Sequence, residues 1–349
     1  MKDELFEEYS KEKEPTKYYK TYAWKTAIGL QKVDGLEPSE YLIKTAEQSI
    51  NGDISFDDAH KLISSYYKEN KIKSERTEEA DKVSVRIAQI ISEKSFVFSP
   101  VELTTIHKRL FEGVYSHAGR IRDYNISKEE WVLDGDTVIY GNAYNLKETL
   151  DYDLNLEKNF DYKGLSTEEA IKHLARFVAN LWQIHIFGEG NTRTTAVFLI
   201  KYLSKLGFNV TNDIFAENSW YFRNALVRAN YNNREKNVNE TTYYLELFLR
   251  NLLLGEDNVL SNREMHIAYK EIEEKPKTIS DREKLILELI RDNPQITLVE
   301  ISEKIDKSLR TVNNTMKTMQ ENGIIERVGS KKNGTWKVLK GEFLVVRSL

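Results

Sequence analysis

His185-Ile186-Phe187-Gly188-Glu189-Gly190-Asn191-Thr192-Arg193 joins two strongly patterned helical segments and places a titratable base, a carboxylate, glycines and a guanidinium within nine residues. Before it, Ser166-Thr167-Glu168-Glu169 is a capping box, and Ile171, Leu174, Ala175, Val178, Leu181 and Trp182 recur at helical spacing up to Ile184. After it, Thr194 to Leu206 is apolar almost all round and Gly207 is placed as a C-terminal cap, the pattern of a central buried helix. Gly190 lets backbone N–H groups approach an anion where that helix begins, and the macrodipole there favours phosphate. Glu189 can share a hard cation such as Mg²⁺ with phosphate oxygens, and Arg193, about one turn into the helix, can clamp further phosphate charge. His185 can deprotonate an attacking hydroxyl.

Composition narrows what this loop can belong to. A chain of 349 residues, at roughly 150 per domain, has room for two or three domains. Lys and Arg number 51 against 55 Asp and Glu, so any nucleic-acid or membrane affinity must be local rather than global. The absence of cysteine excludes disulfides, thiolate nucleophiles and Cys-ligated zinc. Met1-Lys2-Asp3-Glu4 lacks the apolar run of a signal peptide, and no stretch approaches about 18 uninterrupted apolar residues, so the expectation is a cytoplasmic protein with no membrane partner.

Outward from the loop, the pattern is mainly helical. Helices are expected from Pro38-Ser39-Glu40 to Ser49, over 55–68, in two pieces between Val83 and Glu112 split at Phe98-Ser99-Pro100, and over 218–229 and 240–254. The charge-dense stretch Lys68–Lys82 reads as a connection or exposed helix start, and Gly255–Ser261 as a linker. Trp131-Val132-Leu133 and Thr137-Val138-Ile139-Tyr140 flank Asp134-Gly135-Asp136, the turn chemistry of a β-hairpin. His60, His107, His173 and His266 read as structural. Three short helices, Asp281–Arg291, Leu298–Ile305 and Ser308–Asn322, then precede a ribbon formed by 324–328 and 335–339, the order of a winged helix-turn-helix. Residues 281–340 hold 12 Lys/Arg against 9 Asp/Glu; Lys331, Lys332, Lys337 and Lys340 fall on the wing, and Arg310 and Lys317 on the recognition helix, as DNA phosphate contacts require.

The 185–193 stretch resembles the signature of the Fic family, His-x-Phe-x-Glu/Asp-Gly-Asn-Gly/Lys-Arg-x-x-Arg, and the likeness extends over about Ser95–Glu256. The resemblance implies a helical core with a hairpin flap and an enzyme that transfers AMP from ATP to a protein hydroxyl, using Mg²⁺. On that resemblance His185 is the general base, Phe187 the buried anchor and Glu189 the metal ligand. Gly188, Gly190, Asn191, Thr192 and Arg193 surround the phosphates, with Asn224 and Tyr231 as candidates for the nucleoside pocket. His117-Ala118-Gly119-Arg120-Ile121-Arg122 resembles the loop before the flap, and 131–140 the flap that docks a target protein by strand addition. Two positions depart from the signature. Thr192 replaces Gly, which fits a backbone already helical there, and Ala196 replaces the second Arg, which leaves the transferred group open: other members transfer UMP, phosphate or phosphocholine.

The N-terminal region is similar to the fused inhibitory module of some Fic proteins, whose motif is Ser/Thr-x-x-x-Glu-Gly/Asn. Leu30-Gln31-Lys32-Val33-Asp34-Gly35 matches it by position, with Asp34 for Glu, while the literal match Ser65-Tyr66-Tyr67-Lys68-Glu69-Asn70 comes later. Loss of both the inhibitory Glu and its Arg partner implies weak or altered autoinhibition. The expected organisation is a regulatory module over 1–75, a Fic domain over 76–258, and a linker with winged helix over 259–349. The expected activity is AMPylation of a target or of the chain itself. The alternatives are transfer of another group, or a weakly active or non-catalytic DNA-binding regulator; a homodimer is also compatible with the sequence.

Overall fold

Side chains able to cap a helix decide where many of these helices begin. Ser39, Ser99, Ser166, Ser280 and Thr297 each accept a bond from the N–H three residues on, and the last three complete reciprocal capping boxes with Glu169, Glu283 and Glu300. The structure is a computed structural model and describes residues 15–70, 75–269, 277–321, 324–328, 334–339 and 343–345. Among these residues the first unit, Met1–Tyr269, contains α1 Pro15–Gly29, α2 Glu40–Asn51, α3 Phe56–Asn70, α4 Glu75–Ser92, α5 Pro100–Phe111, α6 Leu146–Lys158, α7 Thr167–Ile184, α8 Asn191–Lys205, α9 Ile214–Ala229, α10 Tyr243–Leu254 and α11 Asn262–Met265.

The expected central helix is α8. Every residue from Asn191 to Leu203 is buried, and α4, α5 and α7 pack around it. Helix α1, which falls in a stretch with no helical expectation, lies against α4 and α9. A Cβ on Gly29 at its end would stand 2.2 Å from the Ala216 carbonyl oxygen, so only glycine permits this approach. Residues 15–67 therefore share one core with the rest of the unit, and the boundary expected near 75 falls inside it.

One local expectation is corrected. Residues 131–140 form no hairpin: Trp131–Leu133 is a 3₁₀ turn ended by left-handed Asp134, and Val132 and Leu133 are fully buried. Val132 and Leu133 are neighbours yet both face the core, which the alternation of a strand does not allow. The Glu130 N–H donates to the Asp136 carbonyl at 2.9 Å, so the segment still closes into a loop. Within Lys68–Lys82, α4 is already running by Glu75, and Asp81 is fully buried, accepting from Ser39 N–H, Ser39 Oγ and Tyr67 Oη at 2.8, 2.5 and 2.7 Å. The stretch therefore contains the exposed start of a helix, one of the two readings expected for it, and the polarity of Asp81 is satisfied inside the fold. Residues 255–261, expected as a linker, contain no helix or strand, and beyond them Met265 is buried and the Ile267 N–H donates to the Val132 carbonyl at 2.9 Å, so the first unit continues past them.

The second unit, Lys270–Leu349, has α12 Asp281–Asp292, α13 Leu298–Lys304 and α14 Leu309–Glu321, with strands β1 Lys277–Ile279, β2 Ile325–Val328, β3 Thr335–Val338 and β4 Phe343–Val345. β2 and β3 pair antiparallel, Glu326 opposite Lys337, as the wing requires; β1 and β4 form a further, parallel pair. Ile286, Ile290, Ile301, Val312 and Met319 make a separate core. Lys331, Lys332 and Lys340 lie outside the described residues. No helix among the described residues is long and apolar enough to cross a membrane.

Candidate functional site

Helix α7 ends at His185, whose left-handed backbone (φ 50°) turns the chain sharply towards α8. That conformation is strained for a residue with a Cβ and persists where surrounding contacts over-determine it. Those contacts are present. The Arg122 guanidinium donates from Nε to the His185 carbonyl at 2.7 Å and from Nη2 to that of Gly141 at 2.5 Å, and the Arg122 N–H donates to the Ile186 carbonyl at 2.9 Å. Asn191 clamps the loop from inside, accepting from Phe187 N–H at 3.0 Å and donating to the Phe187 carbonyl at 2.7 Å. Its side-chain amide is thus used within the loop, which leaves its backbone N–H to face an anion. Gly190 is left-handed (φ 76°), and a Cβ there would meet Phe111 at 2.4 Å; Gly188 is kept small by the Tyr124 hydroxyl, 2.5 Å from where its Cβ would lie.

His107, read from the sequence as structural, supports the loop from below. Its ring stacks on Phe187 at 3.6 Å, its Nδ1 accepts from Gly119 N–H at 2.8 Å, and its Nε2 lies 3.0 Å from the Glu189 carbonyl. An acceptor at Nδ1 and a donor at Nε2 define one neutral tautomer. Burial lowers its pKa to about 4.

The same reasoning fixes the tautomer of His185. Nδ1 lies 3.2 Å from the Trp182 carbonyl, which can only accept, so Nδ1 carries the proton and Nε2 keeps its lone pair. The ring packs at 4.3 Å against Tyr140 and edge-on to Trp182. Burial, followed by the charge of Lys128, holds its pKa well below the ordinary histidine value. His185 is a buried, neutral base.

Helix α8 begins at Asn191 with no side-chain cap, so its first N–H groups have no partners within the helix. Thr192 is helical, and its hydroxyl accepts from Trp182 Nε1 at 3.0 Å, a bond that glycine could not make. Glu189 is half-exposed and paired with Lys128, Nζ to Oε2 at 2.9 Å. One accessible carboxylate beside an open helix N-terminus suits Mg²⁺, which is commonly held by one or two carboxylates together with phosphate oxygens. No group of three or more His, Asp or Glu side chains among the described residues forms a closed metal cage.

The far end of the loop differs. Arg193 is 1% exposed and fully engaged. Nη2 donates to Glu79 at 2.6 Å and to Tyr115 Oη at 3.1 Å, Nη1 donates to Gln31 at 3.1 Å, and the guanidinium lies over the Phe111 ring at 4.8 Å. Nε is 2.8 Å from Asp34 Oδ2, an ion pair by distance in which the N–H is not aligned as a hydrogen bond. Burial works against the charge, but Asp34 and Glu79 raise the guanidinium pKa above its ordinary value. Asp34 thus pairs with the first signature arginine, although the second, with which the inhibitory Glu is expected to pair, is absent. Glu79 had no sequence signal pointing to it. In the later literal match Glu69 is exposed, Tyr66 stacks on Tyr41 and the Tyr67 hydroxyl donates to Asp81.

Asn224 and Tyr231 have other partners. Asn224 Nδ2 donates to Asn262 at 2.7 Å, leaving its buried Oδ1 without a partner. The Tyr231 hydroxyl donates to Asp136 at 2.6 Å and so fastens the tip of the 131–140 loop. At the root of that loop Glu130, 1% exposed, accepts from Tyr140 and pairs with Arg223 at 2.9 Å.

Residues 97–203 match the family model described as Fic/DOC family, and residues 279–326 match that of a winged helix-turn-helix described as DNA-binding. No curated protein sequence matches the chain. Among solved structures, the N-terminal FIC domain of Bep8, a VirB-translocated Bartonella effector protein from Bartonella sp. 1-1C, is similar at 20% identity and a TM-score of 0.39, covering 53% of this chain and 88% of that one. With the 185–193 loop inside the first match and helices α12 to α14 inside the second, the chain carries a Fic/DOC-family transferase domain and a C-terminal winged helix.

Proposed function

We propose that the Fic domain transfers the AMP group of ATP to a hydroxyl side chain of a target protein or of the chain itself. The observation that carries this reading is His185: a buried neutral imidazole with its proton fixed on Nδ1 and a lone pair on Nε2, one loop away from an uncapped helix N-terminus. Nε2 takes the proton of the acceptor hydroxyl as its oxygen bonds to the α-phosphorus. The bond from that phosphorus to the bridging oxygen breaks, and pyrophosphate leaves. The N–H groups that open α8 face the charge on the phosphate oxygens, and Glu189 is the residue that would hold Mg²⁺, which would neutralise phosphate charge.

On this reading Asp34 and Glu79 restrain the site, because Arg193 cannot bind phosphate while it is paired to both. The 131–140 loop, anchored through Glu130 and Asp136 and displaying exposed Ile139, is the docking place for the target. Purified protein incubated with each α-³²P-labelled NTP and Mg²⁺, with and without lysate, tests the reaction. Labelled bands that disappear in His185→Ala are expected from ATP; bands that persist in that variant defeat the assignment.

The winged helix is read as a DNA contact. Val312, Met316 and Met319 turn α14 onto its core, leaving Arg310, Asn313, Asn314 and Lys317 on the exposed face. Duplex binding that weakens steeply with salt, and more weakly in Arg310→Ala, is expected; binding indifferent to salt counts against it.

A further inference from the structure

The loop's positive charge is accounted for unevenly. Arg193 is paired to Asp34 and Glu79, the Arg122 side chain donates to backbone carbonyls of His185, Tyr124 and Gly141, and Ala196 stands where the signature has a second arginine. Lys128 is differently placed. It belongs to no helix or strand, yet its position is defined: its N–H donates to Thr137 Oγ1 at 3.2 Å, and two residues on, the buried Glu130 carboxylate is fixed by Tyr140 and Arg223. Its ammonium lies 2.9 Å from Glu189 Oε2, and its charge is felt at His185. Lys128 therefore reaches the 185–193 loop from a separate segment, and its partner there is the residue read as a cation ligand.

We propose that Lys128 is a phosphate-binding residue of the nucleotide site, supplying from the 123–140 segment the positive charge that position 196 lacks. This rests on the phosphoryl-group reading of the loop. The physical reason is charge balance. Glu189 cannot keep the ammonium at full strength once it also faces a divalent cation, since the two cations repel each other. The four-carbon stem lets the ammonium swing to the nearest anion, and beside Glu189 that anion is a phosphate oxygen. The Glu189 to Lys128 pair is then the resting arrangement of a group whose working partner is the substrate.

Binding measured without turnover tests this. Calorimetric titration of ATP and, separately, of adenosine into the full chain is carried out in Mg²⁺ and in EDTA. The proteins are wild type, Lys128→Gln and Lys128→Arg, each with and without Asp34→Gly so that the paired state of Arg193 does not mask the result. Lys128→Gln is expected to weaken ATP about tenfold in Mg²⁺ while leaving adenosine unchanged, and Lys128→Arg to stay within about threefold of wild type. Equal weakening of ATP and adenosine overturns the proposal in favour of a structural role, and unchanged or tighter ATP binding overturns it in favour of a residue that only guards Glu189. If wild type binds adenosine but gains nothing from the phosphates, the phosphoryl reading itself falls, and Lys128 with it.

Discussion

The two ends of the 185–193 loop, one turn of chain apart, are prepared in opposite ways. At the His185 end, backbone and side chain are held by carbonyls, aromatic rings and the Asn191 clamp, and the base is neutral with its lone pair uncommitted. At the Arg193 end, the guanidinium is buried among Asp34, Glu79, Gln31 and Tyr115, all from other elements of the first unit. One end is ready and the other is occupied. Preorganisation and restraint are thus separable within nine residues: long-range contacts serve both ends, but those at His185 fix the backbone and leave Nε2 open, whereas those at Arg193 take up the guanidinium itself.

The strongest break between the two ends is His185→Ala. Loss of a general base is worth roughly 10²–10⁴ in rate, so label transfer is expected to fall about 10³-fold with the fold intact by circular dichroism. A smaller loss confined to binding would mean that this end is not the reacting one.

His107 sharpens the same comparison through pH. Its folded pKa of about 4 lies below the ordinary 6.5, so the neutral form favours the folded state. The contribution is present above pH 6.5 and is lost as pH falls towards 4, by at most about 3 kcal/mol. Urea melts of His107→Gln are expected to show a flatter pH dependence than wild type across that window, and an identical slope would place the titration elsewhere.

Next in size is Gly190→Ala, which combines left-handed backbone with a collision against the Phe111 ring and is expected to cost about 2 kcal/mol in a thermal melt. Gly188→Ala collides with the far end of Tyr124 and crowds the His117 ring at 3.3 Å, with no left-handed backbone to add strain, and should cost less.

The smallest expected effect is the release of the other end. Asp34→Gly leaves Arg193 with Glu79, so self-labelling should rise about tenfold, equivalent to about 1.4 kcal/mol of ion pairing. No rise in this variant or in Glu79→Gln would show that the paired arginine does not limit the reaction.

How far the chain was legible varies with the range of the contacts. Helix α7 announced itself through a capping box and an unbroken apolar stripe, and α8 through continuous burial; both patterns are local. The 131–140 stretch misled because turn chemistry and apolar flanks are shared by hairpins and by loops folded onto a core; the capture of Glu130 by Arg223, 93 residues away, is not written in the segment. In Lys68–Lys82 the exposed helix start was legible, but the burial of Asp81 was not, since charge density signals solvent unless the partners are known, and Asp81 finds Ser39 and Tyr67.

By itself the sequence determined a mainly helical protein, a buried helix opened by a chemistry-bearing loop, and a winged helix behind it, because periodicity, caps and a contiguous motif are encoded by neighbours along the chain. Only the tertiary structure decided the hold of Arg122 on His185, the support from His107, the pairing of Lys128 with Glu189 and the capture of Arg193. Each depends on which distant side chain completes a hydrogen bond or neutralises a charge, and that is settled by packing in three dimensions.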